Sequence, residues 1–473
     1  MDIGDIDFDT RVQEILLAAS NHDLEKLQPF LRVPGAASAQ DPETGMTPLH
    51  AAIAACGVAT LRTSAPDATS DSVVNRPRDG QLGQKLAAEE ENGDKEEVDI
   101  EKARATVKEL FLAGAIWNDL DAGNETPGCL AWRLGRKELY ELVVEAGVRA
   151  ELLLNLMGGY EPLADGDEEE ADVVVAVAGN EGEDLEEGNS TEGQGRRERD
   201  SRESQEATSR NDLAVTRNTA EQTLTEPQAL PPIDGPADEN SRAYLSSSLT
   251  FTPAALIDAS SNGVMMAWET DIMERTCARL APTAGLRILN VGFGMGIIDR
   301  LFAATNPAAH HIIEAHPGVL AALHADSALG FGATWAGRAP GKNVVHAGRW
   351  QDVMPRLLAA GEVFDVIYFD TFGEPYVELK RFFSEYVVEL LDPSGRFGFF
   401  NGLGADRRVC YDVYCRVVEL DLCDAGLDVE WTDVDVDLEG QGLDKEGEGA
   451  WEGVKRRYWT LETYRLPVCT FMG

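Results

Sequence analysis

The chain has 473 residues, 43% of them hydrophobic, and 83 acidic against 41 basic side chains give it a formal net charge of −42. That length supports roughly two to four domains with real cores. The charge disfavours non-specific binding of nucleic acid or of an anionic membrane, and would attract a basic protein. Seven cysteines are scattered without a C-x-x-C pair, and Cys410, Cys415 and Cys423 lack the partner group of a zinc pattern, so no metal site is expected. Dispersed, reduced thiols point to an intracellular setting. The acidic start MDIGDIDFDT lacks an apolar signal core. No run approaches the ~18 apolar residues of a membrane span. Cytoplasm and nucleus are the expected locations.

Residues 11–31 carry a helical pattern in Val12, Ile15, Leu16 and Ala19, then Leu24, Leu27, Phe30 and Leu31. MTPLHAAIAA at 46–55 comes next and resembles the T-P-L-H-x-A signature of ankyrin repeats. A second copy lies within 107–148, where Asn124, Glu125, Thr126 and Pro127 resemble the next repeat's start, with Gly128 and Cys129 in place of Leu-His. The two Thr-Pro sites, Thr47 and Thr126, are 79 residues apart, against an ankyrin period of about 33. The excess fits a disordered insert at about 57–102, which is polar and has no aromatic residue. Residues 1–160 therefore read as a short, degenerate ankyrin-like array. It serves either as a docking surface or as a helical cap on the second domain. His50 is expected to make the repeat's own structural hydrogen bonds.

Residues 161–239 hold 23 Asp and Glu against 6 Arg, with no Lys, Phe, Tyr or Trp. Such a stretch cannot bury enough apolar surface to offset ordering entropy, and reads as an acidic, disordered linker.

From residue 240 strands and helices alternate. Strands are expected near 287–292, 310–315, 343–347, 364–370 and 395–401, with later ones near 427–436 and 457–470. Helices are expected near 263–282, 296–304, 317–329, 350–360, 376–391 and 406–424. The acidic, glycine-rich 438–455 reads as a mobile hairpin insert. This alternation predicts a mostly parallel sheet covered on both faces, with ligands at the carboxyl ends of its strands. LRILNVGFGMGIIDRLF at 286–302 organises the domain: a buried strand, a turn with Gly292, Gly294 and Gly296, then a helix. Glycines suit unusual backbone angles and close ligand approach, and the start of the next helix offers free N–H groups. Glu314 ends the next strand, where such folds place a carboxylate for ribose hydroxyls. An adenosine-containing cofactor fits, S-adenosylmethionine ahead of NAD, because the spacing is G-x-G-x-G and not G-x-G-x-x-G. The alternative is that the glycines only let helix and strand pack closely.

Polar or glycine residues recur at the other strand ends, in GRWQD at 348–352, in Asp370, Thr371 and Glu374, and in Asn401 to Gly404. VMMAWE, NVGFGMGIID, IIEAHP, GRWQD, FDVIYFDTF and FFNGLGADRRVCYDVY together resemble the fungal protein arginine N-methyltransferases of the δ-nitrogen (type IV) family. That family is related to guanidinoacetate N-methyltransferase and carries ankyrin-like repeats ahead of its catalytic domain. The resemblance is tight over 240–437 and loose over 1–160. It implies an α/β, seven-stranded, Rossmann-like S-adenosylmethionine-dependent methyltransferase domain at 240–473, preceded by a small all-α ankyrin-repeat domain. Carried over by residue, cofactor contacts are expected at Tyr244, Met265, Met273, Gly292, Phe293, Gly294, Met295, Gly296, Ile297, Glu314, Ala315, His316, Trp350, Gln351 and Asp370. Met265 and Met273, eight apart on one expected helix, would share a face. Trp350 and Gln351 would flank the adenine.

Arginine's guanidinium has a pKa above about 12, so methylating it calls for carboxylates that grip the cation and assist proton loss. Glu269 and Asp370 are expected to bind the guanidino group, with Asp370 the better proton acceptor and Glu374 a third candidate. Asn401 either orients substrate or satisfies loop backbone. The resemblance further implies a basic protein substrate, a ribosomal protein of the large subunit. Two other functions compete: a small-molecule guanidino methyltransferase, and an ankyrin interaction protein whose cofactor-binding domain does not turn over.

Overall fold

The structure is a computed structural model that describes residues 3–58, 100–157, 237–325, 330–339 and 341–473. All but the ends of the expected 57–102 insert, and the expected linker as far as residue 236, lie outside these residues.

Six helices form the amino-terminal region: α1 (Ile3–Ser20), α2 (Leu24–Leu31), α3 (Pro48–Ala54), α4 over 100–112, α5 (Pro127–Arg133) and α6 (Lys137–Met157). Helices α3 and α5 start alike. Thr47 and Thr126 sit in extended conformation, and their side chains accept from the backbone N–H of His50 and Cys129. A proline opens each helix, where no N–H partner is lost. His50 completes the first cap by accepting from the Thr47 N–H on Nδ1 at 3.2 Å. Its Nε2 then donates to the Glu125 carbonyl at 3.0 Å, so one imidazole ties the two helix starts together. The Ala122 N–H adds a second tie to the Thr44 carbonyl at 2.8 Å. Burial lowers the His50 pKa, which keeps the ring neutral and suited to this donor–acceptor role.

The carboxyl-terminal region opens with α7 (Ala237–Ser246), which overlaps the expected end of the linker. A small antiparallel sheet comes next, of β1 (Thr250–Phe251), β2 (Ala255–Ile257) and β3 (Gly263–Met266). After α8 (Thr270–Leu280) come β4 (Arg287–Val291), α9 (Ile297–Ala304), β5 (Ala309–Glu314), α10 (Pro317–His324), α11 (Ala333–Arg338), β6 (Asn343–Ala347), α12 (Trp350–Ala360) and β7 (Phe364–Phe369). The chain ends with α13 (Tyr376–Phe382), a π-helical turn leading into α14 (Val388–Leu390), β8 (Leu391–Phe399), α15 (Arg408–Asp424), β9 (Leu427–Asp435) and β10 (Thr463–Phe471). The seven-stranded sheet has the order β6-β5-β4-β7-β8-β10-β9. Strands β4 to β8 pair in parallel, whereas β10 lies antiparallel between β8 and β9. The direction of winding reverses between β4 and β7, so the crevice opens at their carboxyl ends.

Two expectations fail. Residues 263–282 are not one helix: Gly263–Met266 form β3 and pair with β2, Leu256 opposite Met265, so Met265 and Met273 do not share a helical face. A short apolar run reads equally as strand or helix until pairing partners decide it. Nor is 438–455 a loose insert. Leu443 and Trp451 are fully buried, and the Lys455 N–H donates to the Ser261 carbonyl at 2.7 Å. Gly442 and Gly449, both at positive φ, cross so closely that a Cβ on Gly449 would lie 2.5 Å from the Gly442 carbonyl oxygen. Glycine there makes compaction, not mobility.

The helical region and the sheet share one hydrophobic core, with α6 packed along α15. A Cβ on Gly147 would lie 2.6 Å from Val413, and one on Gly128 would lie 2.5 Å from Val409. The second Thr-Pro site therefore departs from Leu-His because α15 occupies that space. Polar ties flank the seam: the Tyr140 hydroxyl donates to Asp412, the Arg416 guanidinium to Glu141 at 2.7 Å, and the Arg408 guanidinium lies 4.1 Å above the Trp132 ring.

Candidate active site

The site is built from the carboxyl ends of β4, β5 and β7. Gly292 stands at φ +93°, and a Cβ there would lie 1.9 Å from the Asp370 carbonyl oxygen. Only glycine allows β4 and β7 to end this close together. Gly294, at φ +54°, faces Met265, whose sulfur would be 2.8 Å from an added Cβ and accepts from the Met295 N–H at 3.2 Å. Beneath the turn, Asn290 donates to the Gly292 carbonyl at 2.8 Å and to Asp299 at 2.7 Å, and Asp299 pairs with His310 at 2.9 Å. All three are fully buried.

Glu314 closes the turn. One carboxylate oxygen accepts from the Phe293 N–H at 2.9 Å and the other from the His316 N–H at 2.6 Å. Burial raises its pKa and these donors oppose the rise. The Gly294 N–H adds a longer bond, at 3.4 Å, to the oxygen that Phe293 reaches. His316 accepts from the Gly318 N–H on Nδ1, which leaves Nε2 to donate to the Tyr244 carbonyl at 3.1 Å. That bond lays α7 over the cleft, with the Tyr244 ring between His316 and Phe372 at 4.8 and 4.9 Å.

The cleft, counted with its open mouth, holds about 660 Å³ of space. Tyr244, Met265, Gly292, Gly294, Glu314, Ala315, Trp350, Gln351, Asp370 and Glu374 line it. Phe293, Met295, Gly296, Ile297 and His316 shape the turn and the helix starts without lining it, and Met273 is fully buried in the core. Arg349 and Thr371, expected at strand ends but given no role, lie on the same walls, as do Val264 and Phe372, which sequence reading did not single out. Val264 was obscured by the helical reading of its segment.

Glu374 is occupied. It accepts from Trp350 Nε1 at 2.8 Å, Gln351 Nε2 at 2.8 Å and the Thr371 hydroxyl at 2.8 Å. The Trp350 ring packs edge-on against Phe369, Phe382 and Tyr386. Glu374 thus braces the wall made by Trp350 and Gln351. Asn401 is 1% exposed and its amide donates to the Tyr411 hydroxyl and the Arg465 carbonyl, which is the loop-satisfying role of the two expected for it.

Two acids stand near each other, of which Asp370 lines the cleft and Glu269 does not. Glu269, 3% exposed, sits on the turn between β3 and α8. Its Oε1 accepts from the Met266 N–H at 3.3 Å and from the Tyr458 hydroxyl. Burial, then the charge of Asp370, pushes the Glu269 pKa up to about 8. Asp370 comes directly after β7, its N–H donating to the Val291 carbonyl at 2.8 Å. Burial, then the charge of Asp299, pushes its pKa up to about 7. Asp370 Oδ2 and Gln351 Oε1 are buried acceptors without a protein partner. Unpaired acceptors in a cleft call for a ligand that donates hydrogen bonds. With the glycine cradle, these residues fit S-adenosylmethionine beside a cationic substrate. No cluster of three or more metal-ligating side chains occurs among the described residues.

The guanidinoacetate N-methyltransferase family matches residues 246–405, from the edge of α7 through the strand ends just described. Protein arginine N-methyltransferase 2 of Gibberella zeae is 48% identical over 456 residues, covering 96% of this chain and 90% of its own length. The chain belongs to the fungal protein arginine N-methyltransferase 2 family. Members of that family from Neurospora crassa and Aspergillus fumigatus are 46% and 45% identical, each over 98% of this chain and 96% and 97% of their own lengths. The family likeness therefore takes in the helical region as well as the sheet. Among solved structures, M. jannaschii TYW2 in complex with AdoMet is 9% identical, covers 47% of this chain and 84% of its own, and has a TM-score of 0.28, too low to carry weight.

Proposed function

We propose that this enzyme transfers a methyl group from S-adenosylmethionine to the internal δ-nitrogen of an arginine in a basic protein, a ribosomal protein of the large subunit. The observation that carries the reading is a buried acid pair at a glycine-cradled cleft: Asp370 lines the cleft, and Glu269 lies near enough for the Asp370 charge to raise its pKa. When bound, the cofactor supplies an electrophilic methyl carbon. The protein's own residues do the rest. A guanidinium entering between the acids restores charge balance and favours their ionised forms. Two carboxylates can pair with its terminal nitrogens, which leaves the internal nitrogen for the methyl. Forming the new N–C bond would break the methyl's bond to sulfur and leave a neutral thioether, and the proton shed by the nitrogen would find an unpaired acceptor in Asp370 Oδ2. A pKa near 7 lets Asp370 take that proton and pass it to solvent. Gly292 and Gly294 cradle the methionine part of the cofactor, Glu314 takes the ribose, and Gln351 Oε1 accepts from the adenine amine. Regiochemistry and substrate rest on the resemblance of the 240–437 blocks to the δ-nitrogen family alone.

The amino-terminal helices are proposed to be two degenerate ankyrin-like repeats that dock the protein substrate. The repeated Thr-Pro cap and the His50 tie support this. Cytoplasm and nucleus are the proposed locations. A second reading, a small-molecule guanidino methyltransferase, is favoured by the guanidinoacetate N-methyltransferase match. The deciding assay is transfer of a labelled methyl to ribosomal proteins, with acid hydrolysis and mass analysis. Label on the arginine δ-nitrogen supports the proposal. Label on a terminal nitrogen, or on a small guanidino compound alone, replaces it.

A further inference from the structure

One oxygen of Glu269, Oε1, accepts both from the Met266 backbone N–H and from one side chain. The Tyr458 hydroxyl donates to its Oε1 across 189 residues of sequence. Tyr458 lies beyond the 246–405 match, at the end of the compact 437–459 stretch. Its ring is boxed by Trp451 at 4.9 Å and Trp268 at 6.0 Å. Gly263 of β3 leaves room for it, since a Cβ there would lie 3.3 Å from the Tyr458 ring. The stretch is tied down on both sides: the Lys455 N–H bonds to Ser261, and the Thr460 N–H bonds to the Ala405 carbonyl at 3.1 Å. Trp451 Nε1 donates to Leu443 at 3.2 Å and Trp459 Nε1 to Leu461 at 2.6 Å. A hydroxyl on so firmly packed a ring has little freedom of position.

We propose that Tyr458 is a positioning residue whose hydroxyl fixes the Glu269 carboxylate in the orientation that grips the substrate guanidinium. The inference rests on the function proposed above. Besides Tyr458, the titratable groups whose electrostatics bear on Glu269 are Asp370 and Tyr368 from β7 and Tyr464 from β10. Burial pushes the Tyr458 hydroxyl well above its usual range, so it remains a donor throughout the working pH. Its donation favours the carboxylate and opposes the burial that drives Glu269 up to about 8.

Tyr458→Phe keeps the ring and removes only the hydroxyl. The arginine substrate's KM should rise about tenfold, the size of one lost hydrogen bond to a charged group. Cofactor Kd should stay unchanged, and the acid limb of kcat/KM should move to higher pH. A second readout needs no substrate. Glu269 without its donor keeps its proton longer, so urea stability should go on falling to a higher pH than in the wild type. Repeating the substitution in a Glu269→Gln background should abolish that difference. Superimposable stability curves for wild type and Tyr458→Phe overturn the proposal, as does an equal shift in the Gln background. A Tyr458→Phe protein unfolded even at pH 5, where Glu269 is protonated in either form, overturns it by making the hydroxyl structural. A wild type that methylates no arginine refutes the proposed function instead, and the stability curves still decide the role of Tyr458.

Discussion

Asp370→Asn separates what the cleft costs from what it does. Burial moves the Asp370 carboxyl from its ordinary 3.8 to about 7. Between those values the native protein holds a proton that the unfolded chain has lost. Stability contributed by this group therefore falls as pH rises from about 4 to about 7, and stays low above that. At about 1.4 kcal/mol per pH unit, that interval amounts to up to about 4 kcal/mol. Asparagine cannot ionise, has nearly the same shape, and gives up no protein hydrogen bond at the unpaired Oδ2. The variant should match the wild type near pH 4 and exceed it by as much as about 4 kcal/mol at pH 8. Turnover should drop about 10²–10⁴-fold, the range for losing a general base. Urea unfolding followed by tryptophan fluorescence at pH 4.5 to 8.5, with methyl transfer at pH 8, tests both. Equal pH slopes for the two proteins would refute the burial argument, and retained turnover would refute the assigned role.

Gly292→Ala would force a Cβ to within 1.9 Å of the Asp370 carbonyl oxygen from a left-handed backbone. We expect a stability loss of about 3 kcal/mol or more and at least ~100-fold weaker cofactor binding by calorimetry; unchanged affinity would sink the cradle. Glu374→Gln should weaken cofactor binding, because Trp350, Gln351 and Thr371 lose their shared acceptor. Its pH–rate profile should not move, and a moved profile with unchanged affinity would return Glu374 to the acid group. Deleting residues 1–160 removes the proposed docking surface, so protein methylation should weaken more than cofactor binding. Equal loss of both would favour a helical cap whose α6 is needed to cover α15.

The glycine turn was legible because its chemistry is local: a backbone with positive φ at Gly292, Gly294 and Gly296 admits few other residues. Glu314, Trp350, Gln351 and Asp370 were legible because they come after apolar runs, and strand ends are where such sheets bind ligands. Met265 was assigned to the cleft but to the wrong element. Met273, at the position expected to share its face, is core. Tyr458 was invisible as a site residue: it lies 189 residues from Glu269 and was read as the start of a strand that begins only at Thr463. The odd Gly128 looked like decay of a repeat; its cause, Val409, is far away in sequence.

The tie that His50 makes to Glu125 has a consequence for how this protein can vary. It and the Thr44–Ala122 bond clamp the chain on either side of residues 59–99. Because the two Thr-Pro starts bond to each other directly, their mutual placement is fixed by the clamp itself and not by the number of residues that separate them in sequence.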